Sequence, residues 1–405
     1  RVLRSINSAS YGLRREVTSI RQALVLLGIG QIQKWASVWA MAGLNSGGTS
    51  ETVSMAIIRA RSCELLGNRL LGQEVGAEYF LLGLCSLLDS MLRRPMEDAL
   101  AEVPVSDTIK AALLGADAMT SWAEDHFYGD SIVIRESSDY QRVVVTAGAT
   151  GVRLYLNGNL QFHSRDEYRY HEALVHPALA AQGAPRKVLV LGGGDGMAVR
   201  EVLRHPSVEQ VVLVELDPHM TRLFSTSELL VPLNQGALRS PKLRIVHADA
   251  FTWLESNDEQ FDAIVIDFPD PTNFSLGKLY TTSFYQRVDQ HLTAGGFAVV
   301  QTTSPLLARR SFWTVVATVE AVGLTATPYH AHVPSFGEWG FVLLSRRPWR
   351  VPAALPPGLR FLTPEGLPAL LQFPPDMARI SAQPNRLSNQ LLVQIFEEEW
   401  GKVHP

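Results

Sequence analysis

The chain has 405 residues, of which 46% are hydrophobic and 19% are charged, and its formal net charge is -4. This length predicts two or three compact domains, and the balance of apolar and charged residues is typical of a folded globular protein. The sequence contains no basic block, so nucleic acid is not expected as a partner.

Cysteine usage and apolar run lengths indicate the compartment. Cys63 and Cys85 are too few for a disulfide framework and lack the spacing of a zinc site, which favours a reducing, cytoplasmic setting. The longest apolar runs, such as ALVLLGIG and YFLLGLCSLL, are shorter than the roughly 20 residues that a membrane helix needs, so no membrane segment is expected. The sequence begins at Arg1 inside a helical pattern, and we therefore expect further chain upstream.

The elements change character along the chain. Helical spacing of apolar residues, as in YFLLGLCSLLDSML, predicts an all-α segment over 1–115. The patterns SIVIRES, QRVVVTAG and VRLYLNGNLQF, with a hairpin marked by Asn157 and Gly158, predict a linker and a small β unit over 116–185.

The second half of the chain alternates strand and helix patterns. The six strand candidates are KVLVLGGG, QVVLVELD, LRIVHAD, FDAIVIDF, GFAVVQT and GFVLLSR. This alternation predicts a doubly wound, largely parallel sheet over 186–350. Residues 351–405 are rich in proline and end in NQLLVQIFEEEW, which predicts an irregular wrap and a closing helix. The predicted fold class is therefore α/β.

A glycine-rich turn, GGGDG, follows the first strand of this sheet. Such a turn lets a ligand approach the backbone at a helix N-terminus. Gly192, Gly194 and Gly196 are spaced G-x-G-x-G, unlike the G-x-G-x-x-G of dinucleotide folds, and Glu215 ends the next strand, where a carboxylate can hold ribose hydroxyls. Both features favour an adenosine-type ligand without a pyrophosphate; the alternative is a tight turn that binds nothing.

Four more carboxylates lie in this turn or at strand ends: Asp195, Asp249, Asp267 and Asp270. An aspartate beside a small residue, as Asp249 is beside Ala250, can accept a hydrogen bond from an adenine amine. Several unpaired acids around one pocket repel one another unless a cation lies among them. We therefore predict a positively charged substrate; the alternative is that each acid is a solvated strand end.

Together these motifs resemble the polyamine aminopropyltransferases, the family of spermidine synthase. The resemblance runs from about residue 122 to the C-terminus and is carried by YQRVVV, LYLNGNLQFHSRDEYRYHEALVHPAL, LVLGGGDG, VELDP, HADAF, IDFPDP, LYTTSFY and PSFGEWGF. It is closest to bacterial members that carry a membrane domain, which is absent from this sequence. The resemblance implies a Rossmann-like sheet of the class I methyltransferase type. It also implies no metal and no tightly bound cofactor, and leaves a homodimer open.

The implied reaction is aminopropyl transfer from decarboxylated S-adenosylmethionine, as co-substrate, to a diamine such as putrescine, giving spermidine and methylthioadenosine. Asp267 would accept the proton, and the amine would be lined by Tyr170, His171, Asp195 and Asp270. The donor would contact Gln141, Gln161, Gly192, Gly194, Gly196, Glu215, Asp249 and Ala250. Chemistry supports the first role, because an ammonium of pKa near 10 must lose its proton before it attacks carbon, and a close carboxylate can receive it.

Two motifs depart from the family pattern. DPTNF replaces the more common DPxGP, which puts adenosine contacts there in doubt, and PSFGEWG places Phe336 where a tyrosine is frequent, so the acceptor pocket differs. Trp339 and Tyr285 are candidates for the border of the site, but aromatic residues in such segments are more often core, and we interpret both as core residues.

The first part of the chain resembles the HDOD domain, a helical relative of HD phosphohydrolases, through LRSINSASYGLRREVTSIRQALVLLGIGQIQKW and the helical stretches after it. No histidine precedes His126, which excludes metal-dependent hydrolysis by this segment. A regulatory or partner-binding module and a fusion remnant both remain open.

Two other functions remain as alternatives. An S-adenosylmethionine-dependent methyltransferase could use the same glycine turn, Glu215 and Asp249, although Asp267, Asp270 and the small β unit argue against it. The other alternative is a signalling protein whose second half binds polyamine or nucleoside without turnover.

Overall fold

The structure is a computed structural model that describes residues 56–65, 76–92, 95–101, 103, 105–115, 124 and 128–401. The helical patterns expected before residue 56 and the start of the resemblance near Trp122 lie outside these residues. The chain divides into two units, Arg1–Ser131 and Ile132–Pro405. The predicted boundaries at 115, 185 and 350 remain predictions.

The described part of the first unit is helical. Besides residues 56–65 and 107–115, its helices are α1 (Gly76–Cys85), α2 (Leu88–Leu92) and α3 (Met96–Ala101). Leu84, Leu88 and Leu100 pack together in its core, as expected for an all-α segment. Cys85 is buried there, and burial raises the pKa of its thiol to about 11. Cys63 is half-buried.

An antiparallel sheet opens the second unit. Its strands, in spatial order, are β1 (Ser131–Ser137), β2 (Arg142–Gly148), β3 (Gly151–Leu156) and β4 (Asn159–His163). Asn157 and Gly158 both have positive φ, 51° and 83°, the conformation that a two-residue hairpin turn between β3 and β4 requires. The predicted hairpin is therefore confirmed.

The main sheet has seven strands in the order β10-β11-β9-β8-β5-β6-β7. They are β5 (Lys187–Gly192), β6 (Gln210–Glu215), β7 (Leu243–His247), β8 (Phe261–Asp267), β9 (Leu292–Thr302), β10 (Thr325–Val333) and β11 (Gly337–Ser345). Strands β7, β6, β5, β8 and β9 are parallel to one another, while β11 pairs antiparallel with both β9 and β10. The predicted Rossmann-like, class I methyltransferase-type sheet is confirmed.

Strand β10 is absent from the six predicted strands. Its sequence, TATPYHAHV, contains a proline and two histidines and lacks the apolar run of the central strands. It forms an edge of the sheet, where proline costs no ladder hydrogen bond on the open side. Edge position, not intrinsic strand pattern, decides its conformation.

Helices cover both faces of the main sheet. They are α4 (Glu167–Gln182), α5 (Met197–Val202), α6 (Pro218–Thr226), α7 (Ala250–Ser256), α8 (Phe274–Gly277), α9 (Thr282–Gln290), α10 (Arg309–Glu320), α11 (Leu367–Leu370) and α12 (Leu391–Trp400). Alternate residues of β5 enter different cores: Val190 packs with Leu174 of α4, and Leu191 packs with Phe284 of α9. Among the described residues, no helix is both long and apolar enough to cross a membrane.

The C-terminal residues form the expected irregular wrap and closing helix. Glu172, buried on α4, accepts hydrogen bonds from the backbone N–H groups of Arg360, Phe361 and Leu362 at 2.8, 2.9 and 3.0 Å. At the other end, the Glu399 carboxylate of α12 accepts from the backbone N–H groups at the start of α10. These contacts tie the wrap to two helices of the main fold.

Candidate active site

The site lies where the strand order reverses, between the carboxyl ends of β5 and β8. Gly192 and Asp267 are register partners across these two strands, so the glycine turn and the acid adjoin directly. Gly192 has φ 78°, and a Cβ there would collide with the carbonyl oxygen of Asp267. Gly193, which sequence reasoning did not single out, has φ 70°, and a Cβ there would lie 3.0 Å from Asp267 Oδ2. The middle glycine of the GGG run was the available signal.

Glu215 supports the other side of the turn. A Cβ at Gly194 would lie 2.8 Å from Glu215 Oε2, and the backbone N–H of Asp217 donates to Glu215 Oε1 at 2.8 Å. Burial raises the pKa of Glu215 to about 7 despite hydrogen bonds from the backbones of Asp217 and Gly194. The structure thus places Glu215 against the turn, as the ribose-binding interpretation requires.

Asp267, at the end of β8, is bonded to a tyrosine of α4. Tyr170 donates its phenolic hydrogen to Asp267 Oδ1 at 2.6 Å. Burial raises the pKa of Asp267 to about 6; the charge of Asp195 adds to this rise, while His171 and the Tyr170 hydrogen bond oppose it. Asp267 is therefore ionised at neutral pH but more basic than an exposed aspartate.

His171 is a buried cation beside these acids. Burial alone would lower the pKa of His171, but its hydrogen bond to Glu167 and the Glu167 charge outweigh burial and raise that pKa to about 9. The distance from His171 Nδ1 to Glu167 Oε2 is 2.8 Å. The Arg200 guanidinium donates two hydrogen bonds, of 3.0 and 2.9 Å, to the same Glu167 carboxylate. Sequence reasoning missed both Glu167 and Arg200.

Further ion pairs and hydrogen bonds connect Arg200 to buried residues behind the glycine turn. Arg200 Nε donates to Glu201 Oε1 at 2.8 Å, and Glu201 Oε2 lies 2.9 Å from His176 Nε2. His176 is fully buried and its other ring nitrogen lies 3.0 Å from His205 Nε2. Every charged member has partners, so the network can hold α4 and α5 rigidly together.

Asp270 lies three residues after Asp267, beyond the carboxyl end of β8, and we call its surroundings the Asp270 recess. Its Oδ1 is buried and has no hydrogen-bond partner in the described part of the chain. Burial raises the pKa of Asp270 to about 7, and the nearby polar groups of Gln301 and Thr303 offset only part of this rise. An unpartnered buried carboxylate oxygen is costly unless a ligand donates to it.

Aromatic rings form a wall of this recess. The Phe336 ring lies 6.4 Å from that of Tyr170 and 5.2 Å from that of Trp339. The indole N–H of Trp339 donates to Gln301 Oε1 at 3.0 Å, so Trp339 contributes to the wall as well as to the core. Tyr285 is fully buried, in keeping with its interpretation as a core residue. Aromatic faces beside carboxylates suit an organic cation.

The other residues that were predicted to contact the nucleoside differ in their surroundings. Asp249 caps α7 and forms an ion pair with Lys278 at 2.6 Å, which corrects the expectation of four unpaired acids. Sequence reasoning missed Lys278 because it lies on a separate turn, Lys278–Tyr280. Ala250 is buried at the start of α7.

Gln141 and Gln161, predicted from the small β unit, have unlike contacts. Gln141 Nε2 donates to Asp217 Oδ2 at 2.9 Å and so lies near the Glu215 side of the turn. Gln161 donates to the backbone carbonyl of Asn159. Asp195 Oδ1 accepts from the Met197 backbone N–H at 2.9 Å, at the start of α5.

A glycine turn backed by an acid at the switch point of a largely parallel sheet is the arrangement of a class I methyltransferase-type fold. Residues 167–349 match the spermine/spermidine synthase domain, and residues 1–88 match the HDOD domain. Both resemblances expected from the motifs are confirmed.

Curated relatives agree with this match. The chain is 48% identical over 288 residues to a polyamine aminopropyltransferase of Leptospira interrogans, covering 71% of this chain and 58% of the relative. It is 50% identical over 301 residues to polyamine aminopropyltransferase 2 of Ralstonia nicotianae, covering 74% and 59%. The chain thus spans about three fifths of the length of these relatives.

Solved structures show the same fold. A spermidine synthase in complex with the transition state analogue AdoDATO superposes with a TM-score of 0.55 at 27% identity, covering 60% of this chain and 85% of that one. The spermidine synthase from Thermotoga maritima gives a TM-score of 0.54 at 27% identity, with 60% and 84% covered.

Proposed function

We propose that this chain transfers the aminopropyl group of decarboxylated S-adenosylmethionine to a diamine such as putrescine, giving spermidine and methylthioadenosine. The observation that carries the proposal is the position of Asp267, which adjoins the glycine turn on one side and the Asp270 recess on the other. The similar spermidine synthase that binds AdoDATO supports the choice of donor.

Asp267 is the proposed proton acceptor. A primary ammonium, with a pKa near 10, attacks carbon only after it loses a proton. The ammonium first passes a proton to Asp267, and the neutral amine then attacks: as the nitrogen–carbon bond forms, the carbon–sulfur bond breaks, the sulfonium leaves as a neutral thioether and the product nitrogen becomes a secondary ammonium. Tyr170 occupies Oδ1, whereas Oδ2 faces Gly193, so the free oxygen points to the turn where the donor is placed.

Charge favours a diamine in this site. Three carboxylates, Asp195, Asp267 and Asp270, surround the recess, and the cation that accompanies them is His171. The negative charge left over attracts a substrate with two ammonium groups. The Asp270 oxygen without a partner is a ready acceptor for the second ammonium.

Product analysis tests the proposal directly. The purified chain is incubated with decarboxylated S-adenosylmethionine and putrescine, cadaverine, agmatine or spermidine, and the products are identified by mass spectrometry. We expect methylthioadenosine together with one aminopropylated amine. Methyl transfer from S-adenosylmethionine itself, or binding of both substrates without any turnover, would contradict the proposal.

The pH dependence of the reaction should reflect two acids. Because a protonated carboxylate neither accepts a proton nor attracts an ammonium, we expect kcat/KM for the diamine to fall as the pH drops through 7 and then 6. The measurement is kcat/KM at saturating donor from pH 5.5 to 8.5. In Asp270→Asn, the fall of kcat/KM near pH 7 should be absent and the fall near pH 6 should remain. A kcat/KM that does not change between pH 5.5 and 8.5 would exclude the proposed roles of both Asp267 and Asp270.

Gly194→Ala should weaken nucleoside binding. The added methyl carbon would lie 2.8 Å from Glu215 Oε2, so the carboxylate must leave its position against the turn. We expect the dissociation constant for methylthioadenosine, measured by calorimetry, to rise by about tenfold or more, the worth of one or two hydrogen bonds. Gly295→Ala is the control, because a Cβ there meets no atom within 4 Å. Equal affinities for the two variants would refute the role of this close approach.

A further inference from the structure

Asp166 lies directly before α4, but its carboxylate does not cap that helix. Asp217 and Asp249 hold the same position before α6 and α7, and each accepts a hydrogen bond from a backbone N–H of its own helix. Within the described residues, the Asp166 carboxylate accepts no such bond from the first turn of α4. Asp166 is nevertheless only 6% exposed, and a buried carboxylate needs hydrogen-bond donors from elsewhere in the fold.

The partner of Asp166 is Ser335, in the turn that joins β10 to β11. Asp166 Oδ2 accepts a hydrogen bond from the Ser335 backbone N–H, and Asp166 Oδ1 accepts one from the Ser335 hydroxyl, both at 2.8 Å. A second contact joins the same two parts of the fold, because Arg169 Nε donates to the His332 carbonyl oxygen at 2.6 Å. Hydrogen bonds to a carboxylate are stronger than those between neutral groups, so the Asp166–Ser335 link holds the turn against the start of α4.

The Asp166–Ser335 link lies between two aromatic rings of the candidate site. On one side, Tyr170 is in the first turn of α4 and donates to Asp267 Oδ1 at 2.6 Å. On the other side, Phe336 directly follows Ser335 in the turn, and its ring lies 6.4 Å from that of Tyr170. The position of the turn relative to α4 therefore determines the spacing of these two rings.

We infer that Asp166 is a positioning residue that determines which length of diamine the site accepts: by holding the β10–β11 turn against α4, it fixes the spacing of the Phe336 and Tyr170 rings beside Asp267. The inference rests on the proposed function for the identity of the ligand. A diamine with one nitrogen at Asp267 lies beside Tyr170, so its carbon chain meets these rings. One methylene group in a fixed apolar pocket changes kcat/KM by about 10- to 200-fold.

Asp166→Ala removes both hydrogen bonds to the turn. The parent chain and the variant are compared by kcat/KM for 1,3-diaminopropane, putrescine and cadaverine, which differ from one another by single methylene groups. We expect the ratio of kcat/KM between the preferred diamine and the others to fall by about tenfold or more, because a turn that can move no longer discriminates one methylene group. KM for decarboxylated S-adenosylmethionine should stay constant, since the nucleoside side is held by other bonds, such as that from Asp217 to Glu215.

Asp262→Ala is the matched control. The Asp262 carboxylate also ties two segments together, because it accepts hydrogen bonds from the backbone N–H groups of Arg186 and Lys187 at 2.9 and 3.0 Å. Asp262 lies near the start of β8, at the opposite end of the strand from Asp267, so its loss should leave the kcat/KM ratio as in the parent chain. If Asp166→Ala also keeps the parental ratio, or loses activity with every diamine by the same factor, the inference is wrong.

Substitutions of Ser335 test the same link from the turn, without a change in α4. Ser335→Ala deletes one of the two hydrogen bonds and should lower the kcat/KM ratio by less than Asp166→Ala does, whereas Ser335→Thr keeps the hydroxyl and should retain the parental ratio. In the Asp166→Ala background, Ser335→Ala should have no further effect. Additive effects would overturn the inference. If Asp166→Ala does not fold, the ratio in Ser335→Ala decides, and a parental value there would overturn the inference as well.

Failure of the proposed function has a different signature, namely a parent chain that converts none of the diamines. The calorimetric dissociation constants of the three diamines then replace kcat/KM in the same comparison of variants. A parent chain that converts or binds the three diamines equally well, or that binds none of them, would overturn the inference.

Discussion

Asp267→Asn should lower kcat for aminopropyl transfer by about 10²- to 10⁴-fold, the range for loss of a positioned general base. An asparagine can still accept the Tyr170 hydrogen bond that the carboxylate receives at 2.6 Å, so the site geometry is retained. It cannot take up the proton that the attacking ammonium must lose. We therefore expect the loss in kcat without a comparable loss of nucleoside affinity.

Two measurements check this expectation: steady-state rates of methylthioadenosine formation, and calorimetric binding of methylthioadenosine to the variant. Asp258→Asn is the control, because Asp258 is exposed just before β8, at the opposite end of the strand that ends at Asp267. It should be as active as the parent chain. A variant Asp267→Asn with parental kcat would remove Asp267 from the role of base.

Of the substitutions considered, Glu167→Gln should lower the free energy of unfolding most. Glu167 is buried and bridges two cations, His171 and Arg200, so a neutral amide leaves both without their main counter-charge. Removing one partner of a buried ion pair typically costs about 3–5 kcal/mol. The free energy of unfolding of the full chain, from denaturant titration followed by tryptophan fluorescence, measures this loss. Glu209→Gln, which removes one partner of the exposed Arg186–Glu209 pair, should shift the midpoint little.

The pH dependence of this loss has a defined sign. The folded-state pKa of His171, about 9, lies above its ordinary value of 6.5. The stability from protonated His171 is therefore complete below pH 6.5 and disappears as the pH rises through 9. The difference between the parent chain and Glu167→Gln should narrow over that interval. A difference independent of pH would show that His171 does not depend on Glu167 for its charge.

Local sequence predicted much of the fold. The Asn157–Gly158 pair identified its hairpin because only a few residue types tolerate two consecutive positive φ angles. The buried strands of the main sheet were recognisable because strands covered on both faces are apolar throughout. Strand β10 was missed because its polar sequence becomes a strand only by pairing with β11 at the sheet edge.

The candidate site was predictable only in part. The glycine turn, Glu215 and Asp267 follow strands directly, and their meeting is a consequence of parallel strands ending at one edge. The carboxylates look alike in sequence, however, and nothing local distinguishes Asp249, which Lys278 neutralises, from Asp270, whose Oδ1 has no partner in the described residues.

The sequence by itself determined the elements other than β10, the glycine turn and the set of acids, since these depend on neighbouring residues and on the order of strands. The tertiary structure decided which groups carry charge at the site. His171 is a cation because the Glu167 carboxylate lies against it, and that carboxylate is held by Arg200, which is 33 residues from Glu167 in the chain. The same holds for Asp249, which Lys278 neutralises: the charge at a site is set by partners that only folding brings together.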